Sequence, residues 1–111
     1  MASVHDGHRA RMRDKIRKGG LGSFQQHEIL EYLLFSFVPR KDTNEIAHAL
    51  IDKFSSLSGV LNASEEDLEK VSGMTQNAAL FLATLPDVFR AYVDGVNSDG
   101  ANRQDLSGRG K

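Results

Sequence analysis

The chain contains no cysteine among its 111 residues. Disulfide bonds, thiolate zinc sites and cysteine nucleophiles are therefore excluded together. Long hydrophobic runs are also missing, since no apolar stretch approaches the roughly 18 residues that a membrane-spanning helix needs. The basic N-terminal region is not followed by the apolar core of a signal peptide. From these absences we expect a single cytoplasmic domain without a membrane partner.

The short motifs that mark many catalytic sites are absent as well. The sequence has no nucleotide-binding glycine loop, no Walker lysine, no nucleophile elbow and no His-Glu-x-x-His pair. Its four histidines do not have the spacing of a metal site, because His5 and His8 supply only two ligands. The other two, His27 and His48, fall on different predicted helices. We therefore expect no catalytic residue, no metal and no cofactor, and so no enzyme.

The net charge of −1 conceals an uneven distribution of charge. Residues 1–41 carry eight Lys and Arg against four acidic residues, a net +4, whereas residues 42–96 carry three against nine, a net −6. Such polarity indicates a partner of opposite charge for the basic end, and nucleic acid is the first candidate.

The basic end is predicted to be a helix over residues 8–18, which Gly19 and Gly20 terminate. Met12 and Ile16 stand one turn apart and form a narrow apolar seam. Cations flank this seam on both sides: Arg9, Arg11, Arg13, Lys15, Arg17 and Lys18. A charge run is usually a solvated helix face, but six cations with one acid repel one another, which favours an anionic partner.

Capping residues and breakers divide the remaining sequence into further helices. Ser23 and Gln26 have the spacing of a capping box, Asp42 or Thr43 starts another helix, and Ser64 starts a third. The predicted segments are residues 24–37 before Pro39, residues 43–54, a short turn within 55–61, a short helix from 64, and residues 76 to 92 or 94 with a kink or split at Pro86.

Residues 68–82 predict two helices joined by a very short turn at Gly73. Glycine enters left-handed backbone angles without steric cost, and Thr75 can cap the following helix. The turn and helix start at Gly73, Thr75, Gln76 and Asn77 would then present N–H groups to a phosphate. The alternative is a helical corner that only packs the core, and the sequence alone does not separate the two.

A second corner at residues 38–42 carries Arg40 and Lys41 in its turn. The pattern as a whole predicts an all-α fold, a small orthogonal helical bundle with one or two helix-hairpin-helix units. The expected divisions are a basic N-terminal helix or arm at 1–20, a helix-hairpin-helix domain at 21–94, and a disordered tail or linker at 95–111.

Several stretches of the chain resemble the N-terminal region of the RadC family, bacterial proteins long labelled as DNA repair factors. The matching stretches cover about residues 5–93 in the same order: His5-Asp6-Gly7-His8-Arg9-Ala10-Arg11-Met12-Arg13, His27-Glu28-Ile29-Leu30-Glu31-Tyr32-Leu33-Leu34, Val38-Pro39-Arg40-Lys41-Asp42-Thr43-Asn44, residues 54–61, and Val71-Ser72-Gly73-Met74. The resemblance implies a helix-hairpin-helix domain of the kind that holds DNA backbones in repair enzymes.

The sequence departs from the family pattern at two points. Family members usually continue into a JAMM-type metalloprotease-like domain with a zinc motif, and no such motif occurs here. Helix-hairpin-helix turns usually read Gly-hydrophobic-Gly, whereas this turn reads Gly73-Met74-Thr75. The side chain of Thr75 obstructs close approach of a phosphate to the backbone, although its hydroxyl can donate instead.

From the sequence we therefore expect a non-catalytic DNA-binding module related to DNA repair. The expected phosphate contacts are Arg9, Arg11, Arg13, Lys15, Arg17, Arg40, Lys41, Gly73, Thr75, Gln76 and Asn77. Contact should be with the backbone and without base specificity, because the helices after both turns are largely apolar. The alternative is a protein-interaction or regulatory module, whose signature would be an exposed apolar patch near Met12, Ile16 or Phe89.

Overall fold

The computed structural model describes the backbone of residues 4–39 and 41–105 and the side chains of residues 7–39 and 41–100. These residues form six helices and no strand: α1 (Val4–Gly19), α2 (Gln26–Leu34), α3 (Thr43–Phe54), α4 (Leu57–Leu61), α5 (Glu65–Glu69) and α6 (Gln76–Asp105). The prediction of an all-α small bundle is confirmed. None of the described helices combines the length and the apolar character that a membrane crossing requires.

The core lies between α2, α3, α4, α5 and the first third of α6. Its fully covered members are aliphatic side chains on the inner faces of these helices: Leu30, Leu34, Ala47, Leu50, Val60, Leu68, Ala78, Ala79 and Leu82. Helices α2 and α3 pack on one another, and α5 packs on α6. Each corner of the chain therefore brings two consecutive helices together.

Three helix starts follow their predicted caps, which are Asp42, Ser64 and Thr75. The Asp42 carboxylate accepts hydrogen bonds from the N–H groups of Asn44 and Glu45 at 3.0 and 3.4 Å. The Ser64 hydroxyl accepts from Asp67 N–H at 3.1 Å at the start of α5. These bonds satisfy N–H groups that have no intrahelical partner, which is why such residues stand at helix starts.

The predicted capping box at Ser23 is wrong. The N-cap of α2 is Gln25, whose N–H donates to the Glu28 carboxylate at 2.8 Å. Gln26 is not free to serve as the reciprocal partner, because its side-chain oxygen accepts from Leu57 N–H at 2.6 Å. The segment that precedes α2 forms a turn, in which Phe24 N–H donates to the Leu21 carbonyl. The capping box of α2 is therefore formed by Gln25 and Glu28, two residues further along the chain than predicted.

The end of α2 also differs from the prediction, since the helix stops at Leu34 and not at residue 37. The N–H groups of Phe37 and Val38 both donate to the Leu34 carbonyl at 3.0 Å, which closes the chain into a tight turn. Pro39 disfavours a helical conformation for the residue before it, so the turn precedes it. This turn buries Phe35 and Val38, which the periodicity did not single out.

Helix α6 is longer than predicted and is not split at Pro86. It runs for 30 residues to Asp105, past the expected end at residue 92 or 94. Proline removes one helical hydrogen bond, and Gly95 and Gly100 each cost about 1 kcal/mol relative to alanine, so these residues weaken a helix without forbidding it. The described part of the predicted disordered tail, residues 95–105, is therefore helical. Residues 106–111 lie outside the described part of the chain.

Candidate nucleic-acid interface

The predicted contacts on α1 divide into an outer set and one inner residue. Arg11, Arg13, Lys15 and Arg17 are exposed. The Arg13 guanidinium lies 5.1 Å from the centroid of the Phe35 ring, and Lys15 Nζ lies 5.6 Å from that of Phe24. The charged groups of Arg13 and Lys15 thus lie near aromatic rings in cation–π geometry, while both residues remain exposed.

Arg9 is not a surface contact, and its prediction as a phosphate ligand is corrected here. The residue is only 5% exposed. Its guanidinium donates to the carbonyls of Phe35, Val38 and Lys41 at 3.3, 2.5 and 3.1 Å and lies 4.9 Å from the centroid of the Phe35 ring. Arginine is suited to this role because it presents several donors in a fixed plane. Arg9 therefore attaches α1 to the loop between α2 and α3.

The signal for this inner role is in the spacing of the sequence. Arg9 lies three residues before Met12 and seven before Ile16, which places all three on one helix face. Met12 is buried and Ile16 is half-buried, so the apolar seam of α1 faces the body of the protein. The charge run concealed that Arg9 belongs to the seam itself and does not flank it.

A buried carboxylate makes a second attachment of α1. Glu31 on α2 accepts a hydrogen bond from His8 Nε2 at 2.7 Å. Thr43 Oγ1 and Asn44 Nδ2, at the start of α3, lie 3.5 and 3.4 Å from the same carboxylate group. Because Glu31 is buried, these donors supply the partners that its oxygens would otherwise find in water. The His8 ring is thus held against Glu31, although its side chain remains 43% exposed.

The turn after α5 has the predicted conformation. Gly73 has φ +93°, in the left-handed region that favours glycine. Thr75 caps α6, since its hydroxyl accepts from Ala78 N–H at 3.1 Å. Gln76 and Asn77 are exposed at the first turn of this helix, where their N–H groups have no intrahelical partner. The Thr75 hydroxyl only accepts in this cap, so its O–H can still donate to a ligand.

Lys41 and Gly73 lie on one cleft. An open cleft of about 540 Å³ separates the start of α3 from the turn after α5, and its lining comprises Lys41, Asp42, Glu45, Ile46, Ala49, Ser72 and Gly73. Each of the two corners of the chain thus contributes residues to this cleft. The cleft lining also includes the exposed acids Asp42 and Glu45, whose charges oppose binding of a phosphate beside Lys41 and Gly73. Arg40, the other predicted contact in this corner, lies outside the described residues.

The structure also brings together two histidines that the sequence kept apart. The rings of His27 and His48 stack with their centroids 4.1 Å apart. Their separation along the chain hid this contact, because only the packing of α2 on α3 creates it. Within the described part of the chain, no group of three or more His, Asp or Glu side chains is arranged to hold a metal ion.

Comparison with known proteins gives two informative relatives. The chain is 42% identical over 84 residues to a UPF0758 protein of Fusobacterium nucleatum, a match that covers 76% of this chain and 36% of the relative. It is 36% identical over 74 residues to a UPF0758 protein of Ruegeria pomeroyi, covering 67% of this chain and 33% of the relative. The chain therefore spans about a third of the length of these curated relatives. No family model and no solved structure matches it.

Proposed function

We propose that this all-α chain is a RadC-like, non-catalytic DNA-binding module with a role related to DNA repair. Support for the family comes from the ordered motifs in residues 5–93 together with the UPF0758 relatives. In this proposal the α5 and α6 pair acts as a helix-hairpin-helix unit. The exposed cations of α1, together with Lys41 and Gly73 at the cleft, contact the phosphate backbone without reading bases.

One observation carries the proposal: Arg9 fixes the basic helix to the same loop that places Lys41 at the cleft. The guanidinium of Arg9 binds the Lys41 carbonyl, and the Lys41 side chain shares the cleft with Gly73. Cations on a rigid support lose less conformational freedom on binding than cations on a mobile arm. In this proposal the outer cations of α1, Lys41 and the helix start of α6 act together on one polyanion.

The first test is a salt titration of labelled duplex and single-stranded DNA. If the five described outer cations (Arg11, Arg13, Lys15, Arg17 and Lys41) contact phosphates, log affinity should fall against log salt with a slope of about −4.5 for duplex. The dissociation constant should lie around 10⁻⁴ to 10⁻⁶ M at physiological salt. Fluorescence anisotropy at several salt concentrations measures both quantities.

Matched variants locate the contacts. Arg11→Ala with Lys15→Ala should reduce the slope by about 2, and Lys41→Ala by about 1. Arg90→Ala is the control, because Arg90 is exposed on α6 and paired with Asp87, away from the proposed surface. Absence of binding at low salt, or an Arg90 variant as impaired as the α1 variant, would refute the proposal.

A protein-interaction module is the second candidate, and one observation favours it. Of the three places where an apolar patch was expected for this function, Met12 is buried and Ile16 is half-buried, but Phe89 is exposed. Exposed apolar side chains also surround Phe89 on α6. A contiguous patch of this kind marks surfaces that bind other proteins.

A further inference from the structure

The second half of α6 carries an apolar face that no described residue covers. We name it the α6 stripe and define it by five side chains that are each between 45 and 70% exposed: Val88, Phe89, Tyr92, Val93 and Val96. Their spacing of four and seven residues puts them on one side of the helix. Charged residues occupy the opposite side, where Asp87 pairs with Arg90 and Asp94 lies one turn further on.

The stripe continues the buried face of the same helix. Leu82 and Leu85 lie against the core, and Phe89 and Val96 follow on the same line at steps of four and seven residues. The other helices cover α6 only as far as Leu85. The apolar face continues beyond this residue. The stripe therefore has the pattern of a packed helix without a packing partner within the described residues.

This part of α6 is also a poor helix former on its own. It contains three valines and two glycines, Gly95 and Gly100, all of which have low helix propensity. In proteins most helical stability comes from packing an amphipathic face rather than from propensity. The stability of this part of α6 should therefore depend more on a neighbour that covers the stripe than on helix propensity.

We propose that the stripe binds a second copy of this chain, so that two α6 helices pair around a two-fold axis near Tyr92. The proposal deepens the second candidate function by naming its partner, and it does not depend on DNA binding. The stripe carries no charge, so pairing it with itself brings no like charges together. An isologous two-fold contact is also the commonest form of self-association.

The exposed area is sufficient for a modest dimer. About half of the surface of two aromatic residues and three valines amounts to roughly 450 Å² per copy. With the flanking polar atoms, two copies reach the low end of stable interfaces, near 1,200 Å² in total. A dissociation constant of about 1 to 100 µM is expected for such a contact.

The two helices should run antiparallel and cross at an angle. A parallel pair would place the first half of the partner's α6 where the body already packs against Leu82 and Leu85. In the antiparallel pair, Tyr92 meets its own copy and Val88 faces Val96, because Tyr92 lies midway between these valines. A crossing angle, as helix pairs normally have, carries the C-terminal ends away from the bodies.

Sedimentation equilibrium over a range of concentrations tests the self-association. The mass should rise from 12.2 kDa towards twice that value. Tyr92→Lys with Val96→Lys should abolish the rise while circular dichroism remains helical. Leu80→Lys is the matched control, because Leu80 is also 49% exposed but lies on the opposite side of α6 from the stripe. A monomer at all concentrations, or loss of the dimer in the Leu80 variant as well, overturns the proposal.

The absence of cysteine from the chain allows a second test of the geometry. Tyr92→Cys should form an intermolecular disulfide on mild oxidation, whereas Leu80→Cys should not. A mixture of Val88→Cys and Val96→Cys chains should give mainly the mixed disulfide if the helices are antiparallel. Homodisulfides from that mixture would contradict the antiparallel pairing. Neither assay contains DNA. A negative result would therefore refute the self-association without bearing on the DNA-binding proposal.

Discussion

Replacing Arg9 with methionine should lower the free energy of unfolding by about 3 to 5 kcal/mol. Methionine keeps most of the apolar stem but removes all donors, so the carbonyls of Phe35, Val38 and Lys41 lose their partner. Each buried carbonyl without a donor costs about 1 to 3 kcal/mol, and part of this cost is recovered as water enters near α1. Chemical denaturation followed by circular dichroism measures the difference.

The control for this prediction is Arg11→Met, two residues further along the same helix. Arg11 is exposed, and substitutions of exposed side chains usually change stability by less than about 0.5 kcal/mol. Arg9→Lys should fall between the two variants, because one ammonium cannot reach three carbonyls arranged for a planar guanidinium. Equal stability of the Arg9 and Arg11 variants would show that Arg9 does not attach α1 to the α2–α3 loop.

Replacing Gly73 with alanine should lower the free energy of unfolding by about 2 to 4 kcal/mol. Two costs add at this position. The backbone φ of +93° is unfavourable for any residue with a side chain, at about 1 to 2 kcal/mol. An added Cβ would also lie 2.8 and 2.9 Å from Cγ1 and Cδ1 of Ile46, a core residue that has little room to move.

Gly20→Ala separates these two costs. Gly20 has φ +71°, but an added Cβ there meets no atom within 4 Å. The alanine at position 20 should therefore cost only the backbone part, about 1 kcal/mol. The Gly73 variant combined with Ile46→Val, which removes Cδ1, should show favourable coupling in a double-mutant cycle. If both glycine variants were equally stable, the contact with Ile46 would be unimportant.

Features that depend on a few neighbouring residues were predictable from the sequence. The caps at Asp42, Ser64 and Thr75 and the left-handed Gly73 are local, because side chain and backbone partner lie within three residues. The buried apolar residues of α3, Ile46, Ala47 and Leu50, likewise follow the helical repeat. These predictions needed only hydrogen-bond geometry and the helical repeat.

Features that depend on packing between distant segments were not predictable in the same way. The Gln26 side chain accepts from Leu57 N–H, 31 residues away, and the stacked His27 and His48 come from different helices. In the candidate site, too, some features were predictable from the sequence and others depended on distant packing. Its exposed cations follow from composition, but the inner position of Arg9 required the loop that it binds. The length of α6 exceeds the prediction because low propensity alone does not end a helix.

The carboxylate of Glu31 influences the position that α1 takes along its own axis on the protein. It is contacted by His8 on α1 and lies within 3.5 Å of Thr43 and Asn44 at the start of α3, so three helices meet at a single acid. Apolar seams tolerate sliding, since one aliphatic contact resembles the next, whereas a buried charge has one geometry in which it is satisfied. A shift of α1 by one turn would exchange His8 for Met12 beside this oxygen pair. The acid thus selects one register for the basic helix and sets the direction in which its outer cations point.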